Sequence, residues 1–257
     1  MNNVLLLGDS ITQLSWDPTG LGWASLLQNH FQRRAQFITR GFGGYSTEAA
    51  VNIILPKLGD SLTFYTQKSK KTCFDECSDV KNEESDPNHD SNKDANNQIL
   101  AATIFFGAND SVLSTCEDNA QHVPLKTFIK NTKTLINHLQ NALNIKTVIL
   151  ITLPLYDEDA WKVACCKKYN LVSVESKRSI ENSDTYRKAV INIATEMESV
   201  EICDFWGAME TETGWKELLS DGLHLSPSGQ KLLFESLVPI FERLIPVEMS
   251  SPHWSLL

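Results

Sequence analysis

Three apolar segments of strand length in this chain, Val4 to Leu7, Gln36 to Thr39 and Ala102 to Phe106, each run directly into a short polar or glycine-rich motif. The motifs are Gly8-Asp9-Ser10-Ile11-Thr12, Arg40-Gly41-Phe42-Gly43-Gly44-Tyr45 and Gly107-Ala108-Asn109-Asp110. In an open parallel sheet, ligands bind beyond the carboxyl ends of the strands, so three such sequels converge on one crevice. Further strands are expected at Thr147 to Thr152 and Val200 to Asp204, and helices at Trp23 to Arg34, Thr47 to Leu58, Leu125 to Leu143, Asp184 to Met197 and Ser228 to Leu244. This alternation is the signature of an α/β chain with a parallel sheet covered on both faces. Right-handed crossovers make 2-1-3-4-5 the natural order for the five strands.

A serine hydroxyl is inert at its free pKa and becomes a nucleophile only beside a base that is itself oriented. Ser10 has such partners near the other end of the chain, where Asp221-Gly222-Leu223-His224 sets a carboxylate three residues before an imidazole. Acyl transfer further needs donors aimed at a developing oxyanion. The glycine turn ending at Gly44 can expose main-chain N–H groups, and the Asn109 side chain is a fixed neutral amide. A Gly-x-Ser-x-Gly elbow is disfavoured because Thr12 stands at its second glycine. A dinucleotide fingerprint is weak because Ser46 stands at its third glycine.

These four blocks, in order and in approximate spacing, resemble those of the SGNH or GDSL-type hydrolases. The fuller strings Leu7 to Gln13, Arg40 to Tyr45, Phe105 to Ser111 and Leu219 to Pro227 are most similar to the isoamyl acetate-hydrolysing esterase family. The likeness extends from about residue 3 to 246. It differs at Gly43, where the family more often has serine, and in the placing of Pro154. The resemblance implies a three-layer α/β/α fold of flavodoxin-like order. It further implies Ser10 as nucleophile, Asp221 and His224 as the rest of a triad, and the Ser10 N–H, Gly44 N–H and Asn109 amide as an oxyanion hole. The activity implied is hydrolysis of short-chain, acetate-type esters of small alcohols. Deacetylation of a sugar, peptide or lipid ester is the alternative, and a catalytically retired binding scaffold a third reading.

At 257 residues and 42% hydrophobic content the chain suits one domain with a full core. No segment reaches the roughly 18 consecutive apolar residues of a membrane span, and the amino terminus lacks a secretory pattern, so a cytoplasmic enzyme is expected. A net charge of -9 argues against nucleic acid as partner. Of the six cysteines, Cys165 and Cys166 are adjacent and Cys73 with Cys77 lacks two further ligands. Reduced thiols are therefore expected, with no metal and no cofactor. Residues 66 to 98 are polar and nearly free of apolar side chains, as a disordered insertion would be. The tail from 246 to 257 carries Trp254 and is expected to pack; a homodimer is left open.

Overall fold

The computed structural model describes residues 2–66, 98–114 and 120–247. Nearly all of the expected insertion at 66–98, and the tail beyond Val247, lie outside these residues. So do Cys73, Cys77 and Cys116, while Cys165, Cys166 and Cys203 are free thiols.

Five parallel strands, β1 (Asn2–Gly8), β2 (Ala35–Gly41), β3 (Ile99–Phe105), β4 (Thr147–Ile151) and β5 (Val200–Cys203), form one sheet in the order β2-β1-β3-β4-β5. The register pairs Gly8 with Gly41 on one side and with Phe105 on the other, so the three motif-bearing ends finish level. In β1, Val4 to Leu7 are wholly buried because this strand lies inside the sheet with both faces covered. Their side chains alternate between the two layers, as period two requires. Val4 and Leu6 join the core that holds Trp23, Phe31 and Phe241, whereas Leu5 and Leu7 join the one that holds Leu58, Phe128 and Tyr186.

The helices sort into two layers. α1 (Ser10–Gln13) follows β1 at once; α2 (Trp23–His30), α8 (Phe205–Thr211) and α9 (Pro227–Leu244) cover one face. α3 (Thr47–Ala49), continuing through a π-helical stretch into α4 (Leu55–Thr66), covers the other with α5 (Leu125–Asn137) and α7 (Ile180–Glu196). α6 (Glu158–Tyr169) stands outside both layers with no buried residue. Ser226 caps α9 by accepting from Gly229 N at 3.3 Å, with Pro227 in its first turn, where a missing N–H costs nothing.

The departures from expectation are local. The second helix ends at His30 and not Arg34, because Arg33 takes the left-handed conformation at φ 68°. α7 begins four residues before Asp184, at Ile180, behind the cap Ser179. α1, α6 and α8 fall outside the helices expected from the sequence. Among the described residues, no helix is long and apolar enough to cross a membrane.

Candidate active site

The turn out of β1 is tight. A Cβ at Gly8 would lie 2.1 Å from Thr12 Oγ1 and 2.6 Å from Phe105 O, so the chain passes against β3 only because residue 8 has no side chain. Asp9 then caps α1, its Oδ1 accepting from Ile11 N at 2.9 Å, and Ser10 becomes the first helical residue. Asp9 is almost fully buried, and burial pushes its carboxyl up to about 7, although the Ile11 N–H and the nearby His224 favour the ionised form.

The imidazole arrives from the far end of the chain on a loop closed by Ser220 N to His224 O at 2.8 Å and by an antiparallel bridge between Leu219 and Leu225. Asp221 works as a local frame. Its Oδ1 accepts from Leu223 N at 3.0 Å and His224 N at 2.7 Å, and its Oδ2 pairs with His224 Nδ1 at 2.7 Å. His224 Nε2 lies 3.0 Å from Ser10 Oγ. Partial burial would raise the Asp221 carboxyl, but the bonds from His224 and its backbone outweigh that and hold it below the usual carboxylate range. An ionised Asp221 requires hydrogen on Nδ1, so in the neutral imidazole the Nε2 lone pair is the one that faces the serine.

The other two motifs close around the same serine. Gln13 Oε1 accepts from Gly43 N at 2.6 Å, and a Cβ at Gly43 would be 3.9 Å from Ser10 Cβ. Gly44 takes φ +80°, a conformation open to glycine. Asn109 Nδ2 donates to Tyr45 O at 2.9 Å, leaving its second hydrogen uncommitted to that bond. Asp110 locks the two loops together, its Oδ1 accepting from Thr47 N at 2.9 Å and from the Thr47 hydroxyl. Burial raises Asp110 to about 6 against these bonds.

Ser10, Gly44, Asn109, Asp221 and His224 are thus gathered at the carboxyl end of the sheet. Sequence reasoning missed their supports. Trp161, on α6, lies with its ring centroid 6.0 Å from that of His224. Arg178 is buried beneath Asn109 and donates to its Oδ1 at 3.2 Å. Asp9 and Asp110 stand inside the quoted motifs, and for Asp9 a carboxylate separated only by Gly8 from the apolar run Val4 to Leu7 was a readable signal of burial. Trp161 and Arg178 carried no such signal. A cleft of about 480 Å³ opens beside the site, lined by Val112, Trp161, Cys165, Tyr169, Leu171 and Arg178 among others, within the range of small-ligand pockets. An oriented imidazole next to a serine hydroxyl is an arrangement that acyl transfer can use.

A family model described as GDSL-like lipase/acylhydrolase matches residues 4–237. The chain is 33% identical over 260 residues to the isoamyl acetate-hydrolyzing esterase 1 homolog of Homo sapiens, covering 98% of this chain and 86% of that protein. It is 30% identical over 253 residues to the isoamyl acetate-hydrolyzing esterase of Saccharomyces cerevisiae, covering 94% and 87%. Among solved structures, the lipase/acylhydrolase from Enterococcus faecalis superposes with a TM-score of 0.63 at 21% identity, over 97% of this chain and 100% of that one. That last likeness is one of fold.

Proposed function

The chain belongs to the GDSL-like lipase/acylhydrolase family and is a carboxylic ester hydrolase; from that premise we propose that it cleaves short-chain, acetate-type esters of small alcohols through an acyl-enzyme on Ser10. The observation that carries the reading is the unbroken relay from Ser10 Oγ to His224 Nε2 at 3.0 Å and from His224 Nδ1 to Asp221 Oδ2 at 2.7 Å. The names of the human and yeast relatives support the ester class.

In this mechanism Ser10 Oγ attacks the ester carbonyl while His224 Nε2 takes its proton. Asp221 keeps the imidazole in the correct tautomer and stabilises its cation. The negative charge on the carbonyl oxygen is met by the N–H groups of Ser10 and Gly44 and by the Asn109 amide. His224 then gives the proton to the departing alcohol, and water repeats the sequence on the acyl group to release the acid and restore Ser10. No step calls for a cofactor. The proposal includes a cytoplasmic setting, a single hydrolase domain, a small diffusible substrate and no nucleic-acid partner.

The test is turnover of p-nitrophenyl acetate, butyrate and octanoate by wild type and Ser10→Ala, with a fluorophosphonate probe read by mass spectrometry and acetylated sugars screened alongside. Activity that falls with acyl length, disappears in the variant and coincides with label on Ser10 is expected. Full activity in Ser10→Ala, or label on another residue, would overturn the mechanism, and a preference for acetylated sugars would overturn the substrate class.

A further inference from the structure

Arg178 is an expensive residue to hold where it is. It is 6% exposed, and burial pushes its guanidinium below the usual arginine range. A buried cation ordinarily needs a carboxylate against it, yet among the described residues no carboxylate pairs with Arg178 directly, and Asp9 and Asp110 act on it only from beyond ion-pair distance. Its donors go to two neutral oxygens. Nη2 donates to Asn109 Oδ1 at 3.2 Å, and Nη1 donates to Ala108 O. Both acceptors belong to the motif that presents the Asn109 amide.

The main chain of Arg178 is fixed on both sides. Arg178 N donates to Ser176 Oγ at 3.2 Å, and the same hydroxyl donates to Arg178 O at 2.7 Å. Leu113 N donates to Lys177 O at 2.8 Å, joining this segment to the loop beyond Asn109. The guanidinium also lies 6.0 Å from the centre of the Trp161 ring, which borders His224. Such a mount holds a side chain in one geometry.

A guanidinium has donors and no acceptor, so the group it faces on Asn109 must be the oxygen. The NH2 is then forced to the opposite side, toward Tyr45 O and the crevice. A cation on the amide oxygen also polarises the amide and strengthens its N–H groups as donors. Resting on the acyl-transfer reading above, we propose that Arg178 is a positioning residue that acts through Asn109, orienting and polarising the amide that meets the oxyanion.

The test is a double-mutant cycle on kcat with p-nitrophenyl acetate, using Arg178→Met and Arg178→Lys in wild-type and Asn109→Ala backgrounds, normalised to the fraction of molecules labelled by fluorophosphonate. In the wild-type background Arg178→Met is expected to lower kcat on the order of 10- to 100-fold with KM changed less than about twofold. Arg178→Lys, which keeps a donor and a charge, should recover part of that loss. In the Asn109→Ala background either change should move kcat by less than about twofold, because the group acted upon is gone. Losses that multiply across the two backgrounds, or that fall on KM, would overturn the inference. Should Arg178→Met prove too unstable to assay, the cycle with Arg178→Lys decides it alone. An unaffected Asn109→Ala, or an active Ser10→Ala, would instead remove the reading beneath it, so the two failures are distinguishable.

Discussion

Gly222 is pressed onto the first turn of α6 so closely that a Cβ there would lie 2.5 Å from Trp161 N and 2.4 Å from Asp157 O. Asp157 N donates to Gly222 O at 2.9 Å across the same contact. The loop that frames Asp221 and His224 is therefore seated on a helix that contributes no buried residue to the core. Its role is to give that loop a floor.

Gly222→Ala tests this seat. The residue takes φ +92°, where a Cβ is strained, and the atoms it would meet are backbone and cannot swing aside. The loop must lift, carrying His224 away from Ser10. We expect a stability loss of about 2 kcal/mol and a fall in kcat of about 100-fold, since displacement by an ångström is enough to spoil such geometry. Steady-state kinetics with a thermal melt would read both, and unchanged kcat would mean that the loop is held elsewhere.

Asn109→Ala removes the only side-chain donor in the proposed oxyanion hole. The two main-chain donors remain, so activity should be reduced and not abolished. Turnover is expected to fall on the order of 100- to 1000-fold, about 3 to 4 kcal/mol of transition-state stabilisation. KM for p-nitrophenyl acetate should change little. Turnover within a few-fold of wild type would remove Asn109 from the hole.

The division between what could and could not be read from the sequence follows the range of each interaction. β1 was legible because Val4 to Leu7 is apolar without interruption, and the places of Ser10, Gly44 and Asn109 because each lies a few residues beyond a segment of strand length. The Asp221–His224 pairing was legible because a carboxylate and an imidazole lie in one four-residue block. α6 was not, since a helix with no buried residue has no apolar period to find. The early stop of α2 was hidden in Gln32-Arg33-Arg34, which contains neither glycine nor proline. Arg178 lies 69 residues from Asn109, in a polar stretch with no pattern of its own, and only the fold makes them neighbours.

Gln13 offers a separate handle on the glycine turn. Its Oε1 accepts from Gly43 N at 2.6 Å, fixing the turn that carries Gly44 against the helix that begins with Ser10. The bond is exposed, so its loss should cost no more than about 1 kcal/mol of stability. Under the proposed mechanism its effect on rate is larger, because a drifting Gly44 no longer meets the oxyanion. We expect Gln13→Ala to lower kcat by about tenfold, and Gln13→Glu, which keeps an acceptor, to retain most of it. Equal losses in the two variants would show that the acceptor is irrelevant.

Asp9 makes stability depend on pH in the direction opposite to a paired carboxylate. Its folded-state pKa is raised from 3.8 to about 7, chiefly by burial. Below about pH 4 the carboxyl is protonated in both folded and unfolded chains and contributes no pH dependence. Between about pH 4 and 7 the folded chain keeps the proton that the unfolded chain releases, so stability is expected to fall as pH rises, by a few kcal/mol in all. Above about pH 7 the loss is complete and the slope vanishes. Asp9→Asn keeps a side-chain oxygen for Ile11 N while removing the titration. Urea unfolding of both proteins from pH 4 to 8 should therefore show the wild type losing stability relative to the variant across that window. Parallel curves would mean that Asp9 ionises at its ordinary pKa, and that the fold accommodates its charge beside Ser10 without penalty.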